Sequence, residues 1–215
     1  MNIWTYFIVE QPRVEYFHSL VTHQAAMVKK FCPGARHIVA RGDDGIDMFR
    51  RAEAMDDFVH SSAFDAPTVF LDNDAFPNAD LSAVFDQIQH VGLTVRDTPG
   101  LMPVNEGVIF ARPTPETRHF FSAYERTFGA LHYLMPDDKW RWWGGQTALN
   151  MLAGPAQDRI TLLPCDQFNY SPDEPQPRAV LDSKAVLHLK GPRKALFDQL
   201  VAYQEGRTST LIPCA

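Results

Sequence analysis

Through the first third of the chain, short β-rich runs alternate with stretches of helical spacing, and that order leaves few possible architectures. "IWTYFIV" is rich in β-branched and aromatic residues and closes at "EQP", so it reads as a first strand. From Val14 to Phe31, Tyr16, Phe17, Leu20, Val21 and Val28 fall on one helical face, and "CPG" ends the run. "ARHIVAR" gives a second strand. "GDDGIDMFRRAEAMDDFVHS" gives a capped helix with Ile46, Phe49 and Met55 turned inward. "PTVFLDND" is the third strand. This alternation predicts an α/β fold, a mainly parallel sheet flanked by helices. Ligands of such sheets bind beyond the carboxyl ends of the strands.

Further on, "NADLSAVFDQI" reads as a short helix starting near Asn78 or Asp80, and "VGLTVRD" and "NEGVIFARP" as strands. "TPETRHFFSAYERTF" is a helix with Thr114 as its N-cap, and "GGQTALNML" a helical turn or two. "RITLLPC" and "AVLHLKG" are strands, and "RKALFDQLVAYQE" is a closing helix. Leu131 to Gly145 and "NYSPDEPQPR" are less regular and read as loops over a site. With 215 residues and 45% hydrophobic content, one sizeable core and a single domain over 1–215 are expected. The net charge of -6 gives no general attraction to nucleic acid or anionic membrane. No stretch approaches the roughly 20 apolar residues of a membrane span, and the N-terminal run reads as core strand, not signal peptide. Cys32, Cys165 and Cys214 supply neither a disulfide framework nor zinc spacing, which suits a reducing cytoplasm.

Two segments carry chemistry. Asp72 and Asp74 flank Asn73 at the end of the third strand. Carboxylates that close repel unless a cation or water reaches both. Hard oxygen ligands suit Mg²⁺ or Mn²⁺, which bridge carboxylate and diphosphate oxygens. A polar turn capping local amides accounts for the same string without a metal. The second segment is "HLKGPRK", residues 188 to 194. Gly191 permits close backbone approach, and Lys190, Arg193 and Lys194 bring positive charge to a helix start that favours anions. His188 offers an imidazole to Mn²⁺. Alone, a histidine at a strand end is ordinarily structural, and a basic helix start is often only solvated.

Together, "FLDND", "NEGVIFAR", "GGQTALN" and "HLKGPRK" resemble the nucleotide-sugar glycosyltransferases of the GT-A fold, closest to the glycogenin and lipopolysaccharide galactosyltransferase group, family 8. The likeness runs from residue 66 to 194, and the His-Gly-Lys spacing of the last segment is its most specific point. It implies that Asp72, Asn73 and Asp74 engage a metal and the ribose and diphosphate of a donor, a UDP-sugar. It makes His188 the remaining protein ligand of the Mn²⁺ or Mg²⁺, with Gly191 and Lys194 on the diphosphate. Asn105 and Gly107 line the donor-sugar pocket, and Gln146 sits near the reacting face of the sugar. The sequence departs from the group at Leu189, where an aromatic is usual. It also departs at Gly145 and Thr147, which stand where the group has aspartates. The acceptor (glycan, protein side chain or modified nucleobase) is open, with acidity counting against the last.

Other residues carry two readings. Trp140, Trp142 and Trp143 suit stacking on a sugar or base, or core packing. Asp137, Asp138 and Glu106 are candidate bases for an inverting reaction, although loop carboxylates are usually solvated. Phe7, Val9 and Arg13 reach toward a base or pack the first strand. The seven other histidines, His18, His23, His37, His60, His90, His119 and His132, show no ligand spacing. Two rivals remain: a noncatalytic nucleotide-sugar binder, and a haloacid-dehalogenase-type phosphatase with Asp72 as nucleophile, whose motif belongs on an early first strand. A nucleotidyltransferase needs a glycine-rich basic loop after the first strand, and "VEQPRVE" supplies none.

Overall fold

A computed structural model describes residues 1–8, 13–42, 48–97, 102–134, 138–154, 158–173, 176–206 and 210–211, without the side chains of 138–142 and 210–211. The first half runs β1 (Asn2–Phe7), α1 (Val14–Phe31), β2 (Arg36–Arg41), α2 (Met48–His60), β3 (Thr68–Leu71), β4 (Ala75–Pro77) and β5 (Val91–Val95). There follow β6 (Val104–Ala111), α3 (Pro115–Leu134), α4 (Asp138–Ala153), β7 (Ile160–Pro164), α5 (Cys165–Phe168) and β8 (Gln176–Pro177). The last elements are α6 (Arg178–Leu181), β9 (Val186–His188), α7 (Phe197–Gln204) and β10 (Thr210–Leu211).

Six strands form the central sheet in the order β2-β1-β3-β6-β5-β7. Five are mutually parallel, and β6 runs antiparallel to both of its neighbours. The sheet is therefore mixed and mostly parallel, as the alternation implied. Helices cover both faces, so β3 is buried throughout, with Val69, Phe70 and Leu71 consecutive and apolar instead of alternating. Its Phe70 joins Trp4, Ile109, Phe121 and Tyr124 under α2, α3 and α4. Val69 and Leu71 point the other way, against Ile3, Val28, Val84 and Phe110. A third cluster gathers Phe17, Leu20, Phe76, Leu187, Leu200 and Tyr203. No described helix is long and apolar enough to cross a membrane.

Several expectations need correction. The stretch from Leu131 to Gly145 is helical where it is described: α3 continues to Leu134 and α4 begins at Asp138. Packing against neighbours imposes this. A Cβ at Gly144 would come within 2.3 Å of the buried Phe128 ring, so glycine there lets α4 close on α3. "NADLSAVFDQI" forms a 3-10 segment, Ser82–Gln87, with Asp80 Oδ1 accepting from the Ser82 amide at 2.9 Å. Thr114 caps α3 as expected, its hydroxyl accepting from the Thr117 amide at 3.2 Å. The closing helix is split into a 3-10 turn, Gly191–Leu196, followed by α7. Phe49 and Met55 are buried as expected. Ile46, Val9, Asp137 and Cys214, and the side chains of Asp138, Trp140 and Trp142, lie outside the described residues.

Candidate functional site

The two segments that carry chemistry meet through a ladder that the sequence does not announce. Strand β4, directly after Asp74, pairs antiparallel with β9 and sets Ala75 opposite His188 and Phe76 opposite Leu187. The Leu189 amide donates to the Asp74 carbonyl at 2.9 Å. Asp72, Asp74 and His188 thereby converge, their ligand atoms all within 4.8 Å of one another. Opposite ligands of a divalent ion with bonds near 2.0–2.6 Å stand about 4–5 Å apart, so the group has the right span. Gly107 on β6 makes the convergence possible. A Cβ there would lie 2.3 Å from His188 Cε1 and 3.0 Å from Asp72 Oδ2.

Hydrogen bonding also fits the group to a cation. Asn169 Nδ2 donates to Asn105 Oδ1 at 2.7 Å and to Thr94 Oγ1 at 2.9 Å, which leaves its Oδ1 as an acceptor. That oxygen lies 2.7 Å from His188 Nδ1, so Nδ1 carries a proton. The imidazole then turns Nε2 toward Asp74 Oδ1 at 3.1 Å and Asp72 Oδ2 at 3.7 Å. A nitrogen lone pair facing two carboxylates is tolerated only with a proton or a metal between them. Burial opposes ionisation of Asp74, but His188 and Lys194 outweigh it and hold the carboxyl well below its usual range. Lys194 Nζ reaches Asp74 Oδ2 at 2.5 Å.

Two buried polar residues from the helices brace this cluster. Gln24 of α1 accepts from Thr5 Oγ1 at 2.7 Å and donates to the carbonyls of Asp72 and Ala75 at 2.9 and 2.7 Å. It therefore clamps the turn that carries both aspartates. Arg51 of α2, only 1% exposed, binds Asp72 Oδ1 at 3.0 Å and Glu106 Oε1 at 3.4 Å. It thus fixes one oxygen of Asp72 and leaves the other toward His188. Burial pushes the Glu106 carboxyl up to about 7, with Arg51 opposing and Asp72 adding to the rise. Glu106 Oε2 fills the place that a side chain at 145 would need, since a Cβ at Gly145 would sit 2.3 Å from it.

Asp72, Asp74, Glu106 and His188 floor a cleft of about 1280 Å³. Asn105, Gly107, Gln146, Gly191 and Lys194 all line it, together with Arg96, Lys190, Arg193 and the exposed Trp143. Gln146 Oε1 accepts from Asn105 Nδ2 at 3.3 Å and Arg96 Nη2 at 3.4 Å. Burial, with Arg96 nearby, lowers the Lys190 pKa. Gly191 has φ +59, a left-handed backbone that glycine adopts without strain. Arg193 is held by the Pro172 carbonyl and Asp173, on the loop expected to cover the site. Asn73 does not line the cleft; its amide donates to the Ile8 carbonyl at 3.3 Å. Phe7 packs in the core, and His23 is buried against Gln204 at 2.7 Å. Sequence reasoning missed Gln24, Arg51, Arg96 and Asn169. The first two carry a signal: each repeats on the apolar face of its helix, beside Leu20 and Val28, or Met48 and Met55.

No protein-family model matches the sequence, and no curated protein matches it. The fold does match solved structures over nearly the whole chain. One is a glycosyltransferase involved in the glycosylation of the major capsid of PBCV-1, with a TM-score of 0.64 at 12% identity, covering 95% of this chain and 98% of that one. A second is the galactosyltransferase LgtC in complex with donor and acceptor sugar analogues: TM-score 0.58, 14% identity, coverage 96% and 93%. An active-site mutant of LgtC gives 0.57, 12%, 96% and 96%. The chain thus has the GT-A fold of these glycosyltransferases, and its acidic group with His188 is able to hold a metal ion.

Proposed function

We propose that the cleft binds a nucleotide diphosphate sugar, a UDP-sugar, and transfers its sugar to an acceptor hydroxyl with retention of anomeric configuration. The observation that carries this reading is the convergence of Asp72, Asp74 and His188 on the floor of a cleft rimmed by cations, in a fold shared with glycosyltransferases. Those three residues would hold Mn²⁺ or Mg²⁺, which would supply Lewis-acid neutralisation of a leaving diphosphate. His188 keeps its coordinating nitrogen aimed because Asn169 binds the other one. Lys194 and Lys190 present fixed positive charge to the diphosphate, where one preorganised donor matters by roughly 3 kcal/mol. Gly191 turns the backbone so that both lysines face the same cleft.

Asn105 and Arg96 orient Gln146 at the reacting face of the sugar. The acceptor hydroxyl attacks from the side the diphosphate leaves, and the departing phosphate oxygen takes its proton. Trp143, exposed at the cleft, offers an apolar face to a glycan, protein or nucleobase acceptor. Incubation with UDP-hexoses, Mn²⁺ and an acceptor panel, followed by proton NMR of the anomeric centre, tests the scheme. A product of retained configuration is expected, and an inverted product contradicts the stereochemistry. A noncatalytic donor-binding role draws support from Gly145 and Thr147, where the resembling group has aspartates. Donor binding with neither transfer nor hydrolysis would establish that role instead. A phosphorylated Asp72 would establish the phosphatase reading.

A further inference from the structure

Among the described residues, the buried side-chain atoms without a hydrogen-bond partner include Glu106 Oε2 and Gln146 Nε2, both beside the metal-capable group. Glu106 and Gln146 are 6% and 5% exposed, and both line the cleft. A buried carboxylate oxygen calls for a donor and a buried amide N–H for an acceptor, and native folds rarely leave either unmet. Neither side chain is free to turn away. Glu106 Oε1 is held by Arg51, and Gln146 Oε1 by Asn105 and Arg96. A separate feature of the chain agrees. The carboxylate occupies its place only because residue 145 has no side chain, the Cβ of any other residue falling 2.3 Å from Oε2.

Resting on the donor-binding reading above, we propose that Glu106 reads the transferred sugar: its free oxygen accepts a hydrogen bond from a hydroxyl of a neutral hexose. The Gln146 amide donates to a neighbouring oxygen of the same ring. A hydroxyl both donates and accepts, so an acceptor and a donor on adjacent residues suit a pair of ring hydroxyls. The same buried carboxylate repels a sugar that carries its own carboxylate, so a uronic acid donor is excluded.

The test compares affinities for UDP and for a UDP-hexose, both with Mn²⁺ at pH 8, by titration calorimetry. The hexose is whichever of glucose, galactose and N-acetylglucosamine gives the tightest wild-type binding. Glu106→Ala is expected to weaken UDP-hexose binding by about 10- to 100-fold and to leave UDP within about twofold. The double variant Glu106→Ala/Gly145→Asp brings a carboxylate to the same space from α4 and is expected to recover at least about tenfold. Should Glu106→Ala fail to fold, Glu106→Gln is read by the same ratio, with about threefold or more expected from loss of the charge. Equal effects on UDP and UDP-hexose, or none on either, would overturn the role of Glu106 and leave the donor reading standing. A wild-type protein that binds no UDP with Mn²⁺ would overturn the donor reading and this proposal with it.

Discussion

Replacing Glu106 by glutamine removes a titration that burial has displaced into the neutral range. The carboxyl is raised from an ordinary 4.5 to about 7, because desolvation of the charged form outweighs the attraction of Arg51. Between about pH 4.5 and 7 the folded chain therefore holds a proton that the unfolded chain has lost, and above about 7 the carboxylate is ionised in both. Stability from Glu106 is complete below about pH 4.5 and is lost as the pH rises to about 7. The gap corresponds to about 3 kcal/mol, at up to about 1.4 kcal/mol per pH unit. Glutamine keeps the volume and stays neutral, so Glu106→Gln escapes that loss. The unfolding free energy of the variant, less that of wild type, should rise by about 3 kcal/mol between pH 4.5 and 8. For a chain of this length that is roughly 6–12 °C in Tm. Urea unfolding at half-unit pH steps, without added metal, measures the difference, and the titrations common to both proteins cancel. A difference flat to within about 0.5 kcal/mol across that range would refute the claim that burial beats Arg51 at this carboxyl.

Other perturbations follow from the same contacts. Arg51→Met leaves Asp72 and Glu106 without their shared cation and should cost about 3–5 kcal/mol at pH 8 but less at pH 5, as read by chemical unfolding. Gly107→Ala places a methyl group 2.3 Å from His188 Cε1 and should weaken Mn²⁺ binding by at least about tenfold, seen by titrating free Mn²⁺ with electron paramagnetic resonance. Asn169→Leu removes the acceptor that fixes His188 and should lower Mn²⁺ affinity by about 10- to 100-fold, while taking one donor from Asn105 Oδ1 and one from Thr94 Oγ1. A variant with unchanged Mn²⁺ affinity in either case argues that the imidazole is not a ligand.

Local signals carried much of the framework. Val14 to Phe31 reads as a helix because its apolar spacing and the "CPG" stop are both contained within it. Thr68 to Leu71 reads as a buried strand because both faces of the sheet are covered. What escaped was set by partners far away in sequence. Strands β4 and β9 are three residues each, too short for a periodic pattern, yet their pairing assembles the site. Asp72, Asp74 and His188 were therefore joined only through resemblance, and their geometry agrees with it. Arg51 stands among charged residues in "FRRAEAMDD", and only its place three residues after Met48 and four before Met55 marks it as inward. Helix α4 is longer than its local sequence signals, because its glycine pair and tryptophans carry no amphipathic stripe; packing on α3 and β6 supplies what propensity lacks.

The most direct measurement is Mn²⁺-dependent binding of UDP to wild type and to His188→Ala, by calorimetry at fixed pH. Wild type is expected to bind UDP only with the metal present, and the variant to lose at least about 100-fold in that coupled affinity. A variant that still bound UDP as tightly, and with the same need for Mn²⁺, would mean that the imidazole and the two aspartates meet for some purpose other than a shared ion.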